Sequence, residues 1–220
     1  MEQEQMKALP GLLLPWFREN ARALPWRQDR EPYRVWLSEI MLQQTRVEAV
    51  KGYYARFLQA LPDVFALAEA PEEQLLKLWE GLGYYNRARN LQKAARLVAY
   101  EKNGVFPDTY EGLLALPGVG EYTAGAVASI CFDRPCAAVD GNVLRVLSRY
   151  LADGGATEEQ KKRFRRALEA VYPPGQCGAF TQALMELGAA VCLPNGAPLC
   201  EGCPLAARCA AKKQGDPREY

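Results

Sequence analysis

LPGVGEYTAGAVASICFDRPCAAVDGNVLR, residues 116–145, decides how this chain is read. Gly118 and Gly120 flank a single Val119 ahead of a helix-forming run near Tyr122. The spacing predicts three successive backbone N–H groups facing outward at a helix N-terminus, where the aligned dipoles and open donors suit a phosphate oxygen. A Gly-x-Gly alone equally describes a tight turn between two core helices. The balance shifts with Asp140, twenty residues after Gly120, and with a second carboxylate and a cysteine cluster elsewhere in the chain.

Asp140 follows Ala137, Ala138 and Val139 and precedes a helix-forming run, the place of an N-cap. A cap accepts backbone N–H bonds and sits in the positive end of the helix field, so it holds an anion well. Gly141 lets another backbone or a sugar come close, and Asn142 adds an amide within one turn. Such an anion can stabilise a developing cation. Glu39 lies in VWLSEIMLQQT, with Trp36 three residues before it and Gln43 four after, on one side of a helix. Wedged among Trp36, Ile40 and Leu42, an ionised glutamate is costly, and the neutral proton donor is favoured. Arg46 offers the alternative of an ordinary ion pair. One proton donor and one fixed carboxylate are what cleavage of a glycosidic bond requires.

The rest of the composition narrows the field. The chain of 220 residues has no histidine, which excludes Ser/His/Asp triads, Cys/His pairs and imidazole-ligated zinc chemistry. A formal charge of +1 gives no overall basic footprint. Basic residues nevertheless gather at Arg87, Arg89, Lys93, Arg96 and Lys102 and again from Arg134 to Arg166, while 63–80 is acidic. These runs describe solvated helix faces and also permit a one-sided phosphate-binding surface. No apolar stretch is long enough to span a membrane and the start lacks a secretory pattern, so a cytoplasmic protein without a membrane partner is expected.

Apolar residues recur with helical rather than alternating spacing, which predicts an all-α fold with helices over 6–20, 33–50, 52–61, 72–80, 86–103, 121–132, 141–152, 158–171 and 177–191. Pro71 before Glu72 and Glu73 marks one helix start, and Thr157 with Gln160 marks a capping box. The polar end from Lys212 onward is expected to be disordered. Seven cysteines in such a chain argue against a disulfide framework. Cys192, Cys200, Cys203 and Cys209 form C-x7-C-x2-C-x5-C, a set that suits zinc or a four-iron four-sulfur cluster. Cys131, Cys136 and Cys177 read as small buried apolar residues.

Taken together, WLSEIMLQQTRVEAV, LWEGLGYYNRARNLQKAA, LPGVGEYTAGAVASI, VDGNVLRVLSRY and FTQALMELGAAVC with the four cysteines resemble the adenine DNA glycosylases (MutY type) of the helix-hairpin-helix superfamily, which includes endonuclease III. The resemblance runs from about Leu24 to Cys209. It implies a helix-hairpin-helix glycosylase fold: a six-helix barrel domain over 26–134, an iron–sulfur cluster domain from 1–25 and 135–209, a tail over 210–220, and an active site in the cleft between the domains. It implies Glu39 as the acid that protonates a flipped adenine and Asp140, with Asn142 as polar partner, as the carboxylate facing the deoxyribose cation. Arg27, Leu42 and Gln182 match positions around the adenine. Gln43, Gln44 and Tyr84 match intercalating and opposite-base contacts, and Gly118, Val119 and Gly120 match the phosphate-gripping hairpin. It also turns the cysteine set toward a [4Fe–4S] cluster.

Tyr122 discriminates within that superfamily. In endonuclease III and similar bifunctional enzymes the matching position is a lysine that attacks the sugar, whereas a phenol forms no Schiff base. Tyr122 is expected to hydrogen-bond beside Asp140 in a monofunctional enzyme that releases adenine opposite 8-oxoguanine or guanine in double-stranded DNA and leaves an abasic site. A monomer is expected. The rivals are a thymine or uracil mismatch glycosylase and a catalytically silent, cluster-bearing DNA-binding module.

Two departures from the family pattern matter. The segment LPNGAPL between Cys192 and Cys200 has seven residues and no Lys or Arg where the family usually has six with basic residues, leaving Arg208, Lys212 and Lys213 as the nearest cations. The chain also ends at Tyr220 without the C-terminal domain, related to nucleotide-diphosphate-cleaving hydrolases, that recognises 8-oxoguanine in family members. Truncation or a short natural form both account for this, and weaker discrimination of the oxidised guanine is expected in either case.

Overall fold

The computed structural model describes residues 2–155 and 157–220, and every regular element among them is helical. In order these are α1 (Glu2–Asn20), α2 (Pro32–Leu42), α3 (Val47–Ala60), α4 (Val64–Glu69), α5 (Glu72–Trp79), α6 (Asn86–Arg96), α7 (Tyr110–Leu114), α8 (Glu121–Phe132), α9 (Gly141–Leu151), α10 (Glu158–Glu169), α11 (Cys177–Ala190) and α12 (Ala210–Gln214). No helix among the described residues is long and apolar enough to cross a membrane. The chain divides into two units. One is Ala23–Cys131; the other joins the N-terminal segment through Arg22 to Phe132–Tyr220.

In the unit Ala23–Cys131 the core is built on large rings. Trp36, Trp79 and Phe57 are fully buried, with Phe57 edge-on to Trp79 at 6.1 Å and Trp36 edge-on to Phe106 at 5.4 Å. Each such ring contributes roughly 1.5–3 kcal/mol by burial. α2 starts because Glu31 caps it, accepting from Tyr33 N at 3.1 Å and Arg34 N at 2.9 Å, with Pro32 at the first helical position. α8 is buried on all sides from Thr123 to Ile130, and its Ala and Gly residues let neighbouring helices approach.

In the other unit, Met6, Leu9 and Leu13 of α1 bury against Val143, Val146 and Leu147 of α9 and Phe180, Leu184 and Leu187 of α11. Asp133, itself in the left-handed region at φ 53°, accepts from Gly175 N and Cys177 N and so caps the start of α11 from a distant point in the chain. Glu186 is completely buried on α11 and takes the Arg22 guanidinium in two bonds of 2.6 and 3.0 Å. A buried carboxylate persists only when paired in this way.

Several elements depart from the sequence expectation. The helix expected over 33–50 is two helices, α2 and α3, separated by a turn in which Gln44 has φ 58° and Thr45 N bonds Leu42 O. No Gly or Pro stands between Leu42 and Val47, so no local signal marks the break. The helix expected over 86–103 is α-helical only to Arg96 and continues as a π-helical turn, Leu97–Glu101. The segment from Lys212 is ordered: α12 and a 3-10 turn, Pro217–Glu219, fold back so that Arg149 Nε donates to Tyr220 O at 3.3 Å. Thr157 caps α10, but Gln160 completes only half of a capping box, its amide going to Asp153. Cys177 is buried as expected, whereas Cys131 and Cys136 are half-buried.

Candidate active site and cysteine cluster

Glu39 lies in the middle of α2 and is only 5% exposed. The Tyr122 hydroxyl, from the first turn of α8, donates to Glu39 Oε2 at 2.8 Å. One turn further along α2, Gln43 Nε2 donates to Thr123 Oγ1 at 3.3 Å, so two successive α8 residues stitch onto the C-terminal half of α2. The sequence reading sets Tyr122 beside Asp140 and did not assign this bond to Glu39. A phenol is a neutral donor, so this bond orients the carboxyl without adding charge to it.

Asp140 is the N-cap of α9. Its Oδ1 accepts from Val143 N at 2.7 Å and its Oδ2 from Asn142 Nδ2 at 3.0 Å. Asn142 is held in turn by Arg145, whose Nη2 donates to Asn142 Oδ1 at 2.9 Å and to Gly188 O at 2.8 Å, while its Nε donates to Cys192 O at 2.9 Å. Burial lowers the Arg145 pKa from its ordinary value, the cost of drawing a guanidinium out of water. Gly188 makes room for this relay: a Cβ there would meet Asn142 Cβ at 2.7 Å. A continuous path of hydrogen bonds therefore runs from the backbone of the first clustered cysteine to Asp140.

The hairpin before α8 turns at Gly118, φ 76°, packed so closely on Asn90 that a Cβ would meet Asn90 Cβ at 2.7 Å. Gly118 and Gly120 are exposed and Val119 is buried. The expectation of three outward N–H groups needs correction here. Val119 N donates to Leu116 O at 3.1 Å and closes the turn. Its N–H is consumed because a glycine in the left-handed region makes the tight bond available.

Gln44 is exposed in the α2–α3 turn, and Tyr84 is 67% exposed in the loop after α5, at φ 48°. Tyr85 is 39% exposed, so the ring pair is not part of the core. Non-glycine residues rarely adopt the left-handed region, and each costs of order 1 kcal/mol. A cavity of about 270 Å³ lies in this unit, lined by Trp36, Ile40, Gln43, Tyr84, Arg87 and Gly118 among others. Of the remaining candidates in the same unit, Arg27 ends a 3-10 turn, Pro25–Arg27, and Leu42 ends α2, both half-buried. Gln182, also half-buried, lies on α11 in the unit of Asp140.

Cys192 follows the end of α11, Cys200 opens the 3-10 turn Cys200–Gly202, Cys203 closes it, and Cys209 precedes α12. Burial pushes the Cys203 thiol up to about 11, and the nearby Cys192, Cys209 and Cys200 add to the shift. Burial also raises Cys209, with Cys192 and Cys200 contributing. The four sulfurs are thus electrostatic neighbours. Among the described residues, however, no group of three or more Cys, Asp or Glu side chains is arranged to hold a single metal ion. Arg149 is 4% exposed and braces the site, donating to Cys192 Sγ at 3.4 Å and Leu193 O at 2.8 Å, while Cys209 Sγ donates to Arg149 O. Arg208, Lys212 and Lys213 are exposed nearby in sequence.

Sequence reasoning did not single out Arg145, Arg149 or Arg87 for these roles. Arg145 and Arg149 stand out only as arginines in the otherwise apolar stretch VLRVLSRYL, Arg87 sits unmarked in the polar run NRARN, and their partners are mostly backbone carbonyls that no motif displays.

Residues 37–174 match the model of the HhH-GPD superfamily of base excision DNA repair proteins. Among curated proteins, the chain is 48% identical to a Mus musculus adenine DNA glycosylase over 90% of this chain and 41% of that protein. It is 45% identical to the Homo sapiens adenine DNA glycosylase over 96% and 40%, and 40% identical to one from Buchnera aphidicola over 90% and 56%. The chain thus spans about half the length of the curated relatives it matches. Among solved structures, a thermostable thymine-DNA glycosylase is 30% identical with a TM-score of 0.86, over 96% of this chain and 98% of that one. A non-covalent endonuclease III–DNA complex is 25% identical with a TM-score of 0.80, over 97% of both.

Proposed function

The chain belongs to the HhH-GPD superfamily of base excision DNA repair proteins, and from that premise we propose that it is a monofunctional glycosylase that removes adenine mispaired with 8-oxoguanine or guanine in double-stranded DNA. Adenine DNA glycosylases at 40–48% identity support the choice of base. The observation that carries the chemistry is the hydrogen bond between Tyr122 and Glu39.

Glu39 delivers its proton to the ring of an unstacked adenine, which turns the base into a neutral leaving group as the bond between sugar carbon and ring nitrogen breaks. The bonding pair leaves with adenine, and the sugar becomes an oxocarbenium ion. Asp140, oriented by Val143 N and Asn142, supplies the anion that stabilises it. Water then adds to the sugar carbon and its proton goes to the Glu39 carboxylate, which restores the acid and leaves an abasic site. Tyr122 positions the acid. It brings no amine, so no Schiff base forms and the strand stays intact.

Cys192, Cys200, Cys203 and Cys209, four thiols close enough to influence one another, would hold a [4Fe–4S] cluster. When bound, such a cluster supplies a covalent tie between the end of α11, the Cys200–Gly202 turn and the start of α12. A brown protein with iron and sulfide in equal amounts supports this; a colourless protein with stoichiometric zinc overturns it.

The test of the reaction is a panel of duplexes carrying A, T or U opposite 8-oxoguanine or guanine, with and without alkali. Adenine release with strand breaks only after alkali is expected. Release of thymine without adenine favours the second reading, a thymine mismatch glycosylase, which the 30% identity to the thymine-DNA glycosylase structure supports.

A further inference from the structure

Arg87 makes six hydrogen bonds from its two terminal nitrogens, and none goes to a carboxylate. Nη1 donates to Ile40 O at 2.9 Å, Met41 O at 3.2 Å and Gln43 O at 2.5 Å. Nη2 donates to Leu82 O at 2.8 Å, Gly83 O at 3.2 Å and Thr45 Oγ1 at 3.5 Å. One guanidinium therefore holds two separate stretches of chain: the end of α2 with its turn, and the loop leading to Tyr84. Its charge is balanced by the negative end of α2 and by the faces of Trp79 at 5.4 Å and Tyr84 at 5.7 Å.

Each stretch presents an exposed side chain from a backbone in the left-handed region, Gln44 at φ 58° and Tyr84 at φ 48°. Such conformations persist only where surrounding bonds over-determine them. The carbonyls flanking both residues are the ones Arg87 takes. Its fork reaches both sets because the donors are fixed in one plane, which a lysine ammonium cannot reproduce.

Resting on the reading of the chain as a base-releasing enzyme, we infer that Arg87 is a positioning residue that locks Gln44 and Tyr84 into one rigid wedge, and that opening of the duplex depends on it while breaking of the glycosidic bond does not. The Tyr122–Glu39 and Gln43–Thr123 bonds are made side chain to side chain without the guanidinium, so the acid keeps Tyr122 when the wedge loosens.

The experiment compares the parent with Arg87→Lys and Arg87→Met on two duplexes, one with adenine paired opposite 8-oxoguanine and one with adenine in a single-nucleotide bulge, already prone to leave the stack. Single-turnover rates on the paired duplex are expected to fall by about tenfold or more, and on the bulge by less than about threefold. In parallel, 2-aminopurine at the target position reports unstacking without any chemistry: its fluorescence rises on binding the parent and stays low with the variants. Equal losses on both duplexes, or a rise in fluorescence with the variants as large as with the parent, overturn the inference. So does failure of both variants to fold by circular dichroism, which assigns Arg87 to the core. A parent that unstacks 2-aminopurine but releases no adenine breaks the functional reading alone.

Discussion

Glu39 and Asp140 are both carboxyls on apolar helices, and their surroundings are opposite. Glu39 sits mid-helix, 5% exposed, where the backbone N–H groups are committed to the helix ladder, and its side chain takes a phenol. Asp140 sits at a helix start, half-buried, where N–H groups are free by construction, and it takes one of them together with an amide. Position along a helix thus sets what each carboxyl meets: the helix interior places Glu39 against a side-chain hydroxyl from another helix, and the helix start offers Asp140 a backbone N–H of its own. The supports differ as well. Glu39 relies on a neighbouring helix start, whereas Asp140 is held through Asn142 and Arg145 to the backbone of Cys192.

The largest break in this comparison comes from Glu39→Gln. The amide keeps the volume and can still accept from Tyr122, but its N–H protons are not acidic and none can be transferred to the base. Adenine release under single-turnover conditions is expected to fall by about 10²–10⁴-fold with the thermal midpoint nearly unchanged. An unchanged rate removes Glu39 from the chemistry.

Asp140→Asn sharpens the other half. Asparagine caps a helix about as well as aspartate, so helix stability is retained while the anion is lost. The rate is expected to drop by about 10²–10³-fold with little change in melting temperature. If melting falls and the rate on intact protein does not, Asp140 is only a cap.

Arg145→Met has the smallest expected effect and tests the support. It leaves Cys192 O, Gly188 O and Asn142 Oδ1 without this donor, each such loss costing about 1–3 kcal/mol where the group stays buried. Adenine release is expected to fall by roughly tenfold to hundredfold together with melting temperature. The bulge and paired duplexes should be affected equally, in contrast to the Arg87 variants.

The helix starts after Asp140 and Thr157 were legible because capping chemistry is local: the cap and the N–H it serves lie within three residues. The start at Glu72 was legible from Pro71 and the acidic first turn, without any side-chain cap. The turn at Gln43–Arg46 was not. It carries no Gly or Pro to mark it, and the break is stabilised by Arg87, more than forty residues away. The same holds for the buried Glu186, whose partner Arg22 is 164 positions distant, and for Tyr122, whose partner Glu39 is 83 positions away. Val119 failed for a subtler reason: exposure of a hairpin N–H depends on which carbonyl the turn brings under it.

By itself the sequence determined the all-helical character, the caps, the pair of carboxyls and the four clustered cysteines, since period, capping and ligand spacing are short-range properties of the chain. Only the tertiary structure decided what holds those groups. Arg149, which is buried, and Arg87 and Arg145, which are half-buried, donate to backbone carbonyls; every residue carries a carbonyl, so nothing in the sequence marks the ones these arginines select, and that choice exists only once the helices have packed.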